Sequence, residues 1–118
     1  MKFLGTGSAL PKKVVSNDDL AQVMDTSDEW IRSRTGIGMR HIAVEETTTS
    51  MAVEAAEKAL ADAKISGCEI DLIIAGTISP DYIFPSLACE VQAAIGAKSA
   101  TAFDLSAGCS GFLFALAT

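Results

Sequence analysis

Ala100-Thr101-Ala102-Phe103-Asp104-Leu105, followed by Ser106-Ala107-Gly108-Cys109-Ser110-Gly111, reads as a buried strand that passes through small residues into a helix beginning near Cys109. A second continuous apolar run, Asp71-Leu72-Ile73-Ile74-Ala75-Gly76-Thr77, has the pattern of a strand buried on both faces. Between them, Pro85 at a first-turn position and Gly96 after a last turn bracket a helix. Strand, helix and strand in that order give a parallel pair with a crossover, so the fold class is α/β with helices layered on parallel strands.

Further upstream, Ala52, Ala55, Ala56, Ala59, Leu60 and Ala63 recur at helical spacing, with Glu54 and Lys58 paired on the wet side. A helix face made almost wholly of alanine can lie close to whatever it covers. Ser16 with Asp19 opens a short helix through Met24, and Ser27 with Asp28 and Glu29 opens another that Gly36 stops. Residues 2–10 are expected to form a strand weakened by Gly5 and Gly7 and closed off by Pro11. Phe112 to Ala117 is apolar on every side of its helix, a pattern of helices packed all round. The expectation is therefore one partial domain over 1–118, truncated inside the helix that follows Cys109.

The chain has 118 residues, a net charge of −6 and 49% hydrophobic residues, with a mean hydropathy of +0.33. That balance excludes a disordered chain and gives no support to nucleic-acid or anionic-membrane binding. No apolar run approaches a membrane span, and a soluble cytoplasmic setting is expected. Cys68, Cys89 and Cys109 are odd in number and include no C-x-x-C pair, so neither a disulfide framework nor a zinc site is expected.

Among these cysteines, Cys109 stands where a strand turns into a helix between small neighbours, a setting that exposes a nucleophile to an incoming carbonyl. Helix N-terminal amides there favour a thiolate and can receive an oxyanion. The plain alternative is a buried core thiol. Cys68 and Cys89 lack that setting and are read as structural. The lone histidine, His41, alternates like a strand residue and reads as a structural hydrogen-bonding group; the lone asparagine, Asn17, reads as a cap or turn residue.

Trp30 to Val44 holds three arginines and a histidine without an acid. Trp30 and Arg34 lie four apart on one helix, so an indole face and a guanidinium can line a groove that stacks a purine and pairs a phosphate. A half-buried Trp beside a solvated Arg is the alternative. Gly5-Thr6-Gly7 lacks the third glycine and the helix of a dinucleotide loop. Tyr82-Ile83-Phe84-Pro85 puts large apolar groups on a loop, either to close the local core or to enter a partner subunit.

Together, Leu4-Gly5-Thr6-Gly7-Ser8 with Leu10-Pro11, Thr26-Ser27-Asp28-Glu29-Trp30-Ile31, Arg34-Thr35-Gly36-Ile37, Arg40-His41-Ile42-Ala43, Phe84-Pro85-Ser86, and Ala102-Phe103-Asp104 before Cys109-Ser110-Gly111-Phe112 resemble the β-ketoacyl-acyl-carrier-protein synthase III family in order and spacing. The resemblance implies a thiolase-like layered α/β fold, of which this chain would hold part of the N-terminal half. It implies that Cys109 takes an acyl group from acyl-coenzyme A and that malonyl-acyl carrier protein then condenses with it, initiating fatty acid synthesis. Trp30 and Arg34 would hold the nucleotide end of coenzyme A with Thr26 nearby, and Phe84 would reach the other subunit of a homodimer. No cofactor is implied beyond the coenzyme A thioester as substrate, and no metal. Gly108 and Gly38-Met39 depart from the family's usual residues, and neither His41 nor Asn17 matches its catalytic His and Asn. Two alternatives are a non-catalytic interaction module with a buried Cys109, and another condensing enzyme of the thiolase superfamily.

Overall fold

Ser16 closes the strand β1 (Lys13–Ser16) and caps the helix α1 (Asn17–Ala21). Its hydroxyl accepts from the Asp19 amide at 3.1 Å while the Asp19 carboxylate accepts from the Ser16 amide at 2.8 Å, the reciprocal pairing that starts a helix. α1 is shorter than the expected run to Met24: the Gln22 and Val23 amides turn back to Asp19 O and Leu20 O and tighten the chain into turns. Ser27 then accepts from the Trp30 amide and opens α2 (Asp28–Thr35), which Gly36 ends at φ +73°, as expected. β2 (Met39–Ile42) returns antiparallel to β1, with His41 opposite Val14. The structure, a computed structural model, describes residues 2–118. These elements lie in the second of its two compact units, Leu10–Glu46; the first is Met1–Ala9 with Thr47–Thr118.

In the first unit, Thr47 and Ser50 cap α3 (Thr48–Ala63). The strand expected over 2–10 does not form. That stretch carries no ladder, and its glycines instead press backbone against α3. A Cβ on Gly7 would fall on Ala55 O and stand 2.5 Å from Ala59 N, and one on Gly5 would stand 2.5 Å from Ala63 N. The alanine face is thus covered closely, as its composition requires, but by coil. Glu54 and Lys58 pair at 2.6 Å on the exposed side.

β3 (Leu72–Gly76) and β4 (Thr101–Leu105) pair in parallel, Leu72 opposite Thr101 through Gly76 opposite Leu105. The crossover is α4 (Leu87–Ala94), whose Leu87, Ala88 and Val91 form the buried core with Ala97 and Ala100. Pro85 lies outside α4 and not in its first turn, because Ser86 is the N-cap and accepts from the Cys89 amide at 3.3 Å. The Asp104 carboxylate reaches from β4 to the Leu87 and Ala88 amides, at 2.9 and 2.8 Å, and fixes that end of α4. β3 is half-buried, not buried on both faces as expected, with Leu72 and Gly76 at its ends exposed. α5 (Gly111–Ala117) carries the all-round apolar sequence, and Phe112, Leu113 and Phe114 are exposed.

Candidate active site

The two parallel strands run out together: the Thr77 amide still donates to Leu105 O at 3.2 Å. Beyond Leu105 the chain makes a single 3₁₀ turn, Gly108–Ser110, closed by the Ser110 amide on Ala107 O at 3.1 Å. Cys109 is the middle residue of that turn and is exposed. The helix expected to begin near Cys109 starts two residues later, because Gly108 takes φ +52° and reverses the backbone first. The thiol therefore stands ahead of α5, at the carboxyl ends of β3 and β4, where open α/β sheets present ligand-binding loops. Its exposure removes the alternative in which Cys109 is a core thiol of this chain.

The other cysteines differ from it. Cys89 is partly buried in α4, with its sulfur 3.8 Å from Ala102 O. Cys68 is exposed, and its sulfur lies 2.7 Å from the Ser66 hydroxyl in a capped 3₁₀ turn. Phe84 is 90% exposed and Ile83 98%, so this loop does not close the local core of its unit.

In the second unit the cationic stretch sorts itself by partner. Arg32 binds the Asp28 carboxylate through Nε, Arg40 donates to Val15 O and to the Asn17 side chain, and His41 Nδ1 lies 2.6 Å from Pro11 O. Arg34 alone of the four makes no hydrogen bond or ion pair among the described residues; its guanidinium lies 4.4 Å over the centre of the Trp30 ring. Trp30 is 53% exposed, and with Asp25, Thr26 and Ser27 it lines an open hollow of about 290 Å³. Trp30 and Arg34 meet as their spacing of four requires, and Thr26, which only the resemblance pointed to, lines the hollow beside Trp30: a flat aromatic face, a cation without an anionic partner and a hydroxyl lie in one neighbourhood. A purine with phosphates matches that set.

Asn17 is not the cap it was expected to be; Ser16 has that role, and Asn17 is buried. It donates to Asp28, whose carboxyl is held below the ordinary range chiefly by that bond. His41 is the structural hydrogen-bonding group expected. Asp104 was missed as a contributor, although an acid inside an otherwise apolar strand is a signal that it satisfies something buried.

No protein-family model matches the chain. It is 62% identical over 109 residues, 92% of its length, to the β-ketoacyl-acyl-carrier-protein synthase III of Streptococcus suis (strain 05ZYH33), of which it spans 34%. Its structure is similar to that of 3-oxoacyl-acyl-carrier-protein synthase III from Aquifex aeolicus VF5, with a TM-score of 0.95 and 56% identity, covering 98% of this chain and 38% of that one. The priming β-ketosynthase of the R1128 polyketide biosynthetic pathway follows at a TM-score of 0.93 and 40% identity, over 98% and 35% of the two chains. The chain spans about a third of the length of the curated relatives it matches. Among the described residues no helix is long and apolar enough to cross a membrane.

Proposed function

Because the chain belongs to the β-ketoacyl-acyl-carrier-protein synthase III family, with a thiolase-like α/β fold, we propose that it carries the nucleophile and the nucleotide-holding helix of a condensing enzyme. The Cys109 thiolate attacks the carbonyl carbon of an acyl-coenzyme A thioester. The tetrahedral intermediate collapses, the carbon–sulfur bond to coenzyme A breaks, and coenzyme A leaves as the thiol once protonated. Malonyl-acyl carrier protein then loses carbon dioxide, its C2 carbon attacks the acyl–cysteine carbonyl, and Cys109 departs as thiolate. Trp30 stacks on the adenine, Arg34 pairs a phosphate and Thr26 lines the same hollow. Phe84 enters the acyl pocket of the second subunit of a homodimer.

One observation carries this reading: Cys109 is exposed on a small-residue turn at the carboxyl ends of the parallel pair. The decarboxylating His and Asn are not His41 and Asn17, whose side chains are engaged with Pro11 O and with Asp28, Ile37 O and Arg40. The 118-residue chain alone is therefore expected to form no β-ketoacyl product from acetyl-coenzyme A and malonyl-acyl carrier protein. Product at a rate near that of a complete relative would contradict this. Acyl transfer is tested separately, by peptide mapping after incubation with acetyl-coenzyme A. A thioester on Cys109, absent in Cys109→Ser, is expected; acetylation confined to Cys68 or Cys89 would sink the assignment. The likeness to a priming ketosynthase of polyketide synthesis supports a second reading, in which the same first step uses a different primer.

A further inference from the structure

α2 has eight residues, none of them buried, so neither length nor packing accounts for its holding a fixed place. One side chain reaches both of its ends. Asn17 is 1% exposed, and its amide nitrogen donates to Asp28 Oδ1 and to Ile37 O, both at 2.8 Å. Asp28 is the first residue of α2, and Ile37 follows the Gly36 that ends it. The same side chain accepts from the Arg40 guanidinium on β2, and the Asn17 backbone amide donates to Gly38 O at 3.2 Å. A single buried amide thus uses both of its donors to tie the two ends of α2, with Trp30 and Arg34 between the ties.

The tie continues along the helix. Asp28 grips Arg32 Nε at 2.8 and 2.9 Å, and the Arg32 guanidinium lies against Gly38, where a Cβ would displace it. We propose that Asn17 is a positioning residue for nucleotide binding: it clamps both ends of α2 and so keeps the Trp30 ring and the Arg34 guanidinium aligned to receive an adenine and its phosphates. This rests on the reading of Trp30 and Arg34 given above. Asn17 touches no substrate in this account and acts through α2. Removing its donors breaks the tie to Ile37 O and leaves the part-buried Asp28 Oδ1 with Arg32 Nε alone, which loosens both ends of the helix.

Trp30 is the only tryptophan, so its fluorescence reports on this helix directly. In the full chain, Asn17→Asp keeps the size of the side chain but removes both donors. It is expected to raise acrylamide quenching of Trp30 about twofold without ligand and to weaken coenzyme A, titrated by the same fluorescence, about tenfold. The double variant Asn17→Asp/Asp28→Asn exchanges donor and acceptor across the 17–28 pair, leaves the tie to Ile37 O broken, and is expected to recover part of both. A folded Asn17→Asp chain, checked by circular dichroism, with wild-type quenching overturns the clamp. So does a double variant that recovers nothing, and that comparison stands even where Asn17→Asp itself fails to fold. If the wild-type chain does not bind coenzyme A, the nucleotide reading fails, and the ligand-free quenching still decides whether Asn17 holds α2.

Discussion

Gly76, at the end of β3, and Gly111, at the start of α5, meet backbone to backbone: a Cβ on Gly76 would stand 3.2 Å from the Gly111 carbonyl carbon. This contact seats α5 against the strand end and thereby fixes the turn that carries Cys109. The fit is asymmetric, since a Cβ on Gly111 finds its nearest neighbour at an ordinary 3.5 Å. Gly76→Val is expected to lower stability by about 1–3 kcal/mol and to slow acylation of Cys109, while Gly111→Ala leaves both near wild type. Thermal melts and acylation rates check the pair; equal effects from the two substitutions would contradict the seating argument.

Asp104 links the strand leading to Cys109 with the helix that follows Phe84. Its carboxylate satisfies two of the amides that every helix start leaves open. Asp104→Ala is expected to cost about 1–3 kcal/mol, measured by denaturant titration. A loss no greater than that of a surface substitution would show that solvent replaces the carboxylate freely.

Asp81 plays a comparable part at the start of α3. The Thr49 amide, foremost, and the Thr48 amide donate to its carboxylate and hold it at about 2, against an ordinary 3.8. A folded-state value below the unfolded one means that this contribution is complete above about pH 4 and is lost as pH falls through about 2. Asp81→Asn is therefore expected to lower the melting temperature at neutral pH and to shrink the further loss between about pH 4 and pH 2. An acid-induced loss as large as in the wild type would contradict the assignment.

Much of this arrangement was legible in the sequence because its causes are local. Ser27 and Gly36 bracket α2 by their own chemistry, the alanine spacing marks one face of α3, and the apolar runs at 71–77 and 100–105 mark the parallel pair to within a residue at each end. The stretch over 2–10 is coil where a strand is expected because apolar residues around two glycines suit either a strand or a coil pressed on a helix, and what decides is the alanine face far along the chain. The Trp30–Arg34 stack follows from a spacing of four, whereas the role of Asn17 depends on Asp28, Ile37 and Arg40 converging through the tertiary fold. Periodicity carries no trace of such convergence.

Cys109 and Cys68 are both exposed, so alkylation before and after incubation with acetyl-coenzyme A compares a proposed nucleophile with an accessible thiol on the same chain. Iodoacetamide followed by peptide mapping is expected to find Cys109 protected after that incubation and Cys68 labelled as before. Equal labelling of both cysteines with and without the thioester would contradict the claim that Cys109 accepts the acyl group.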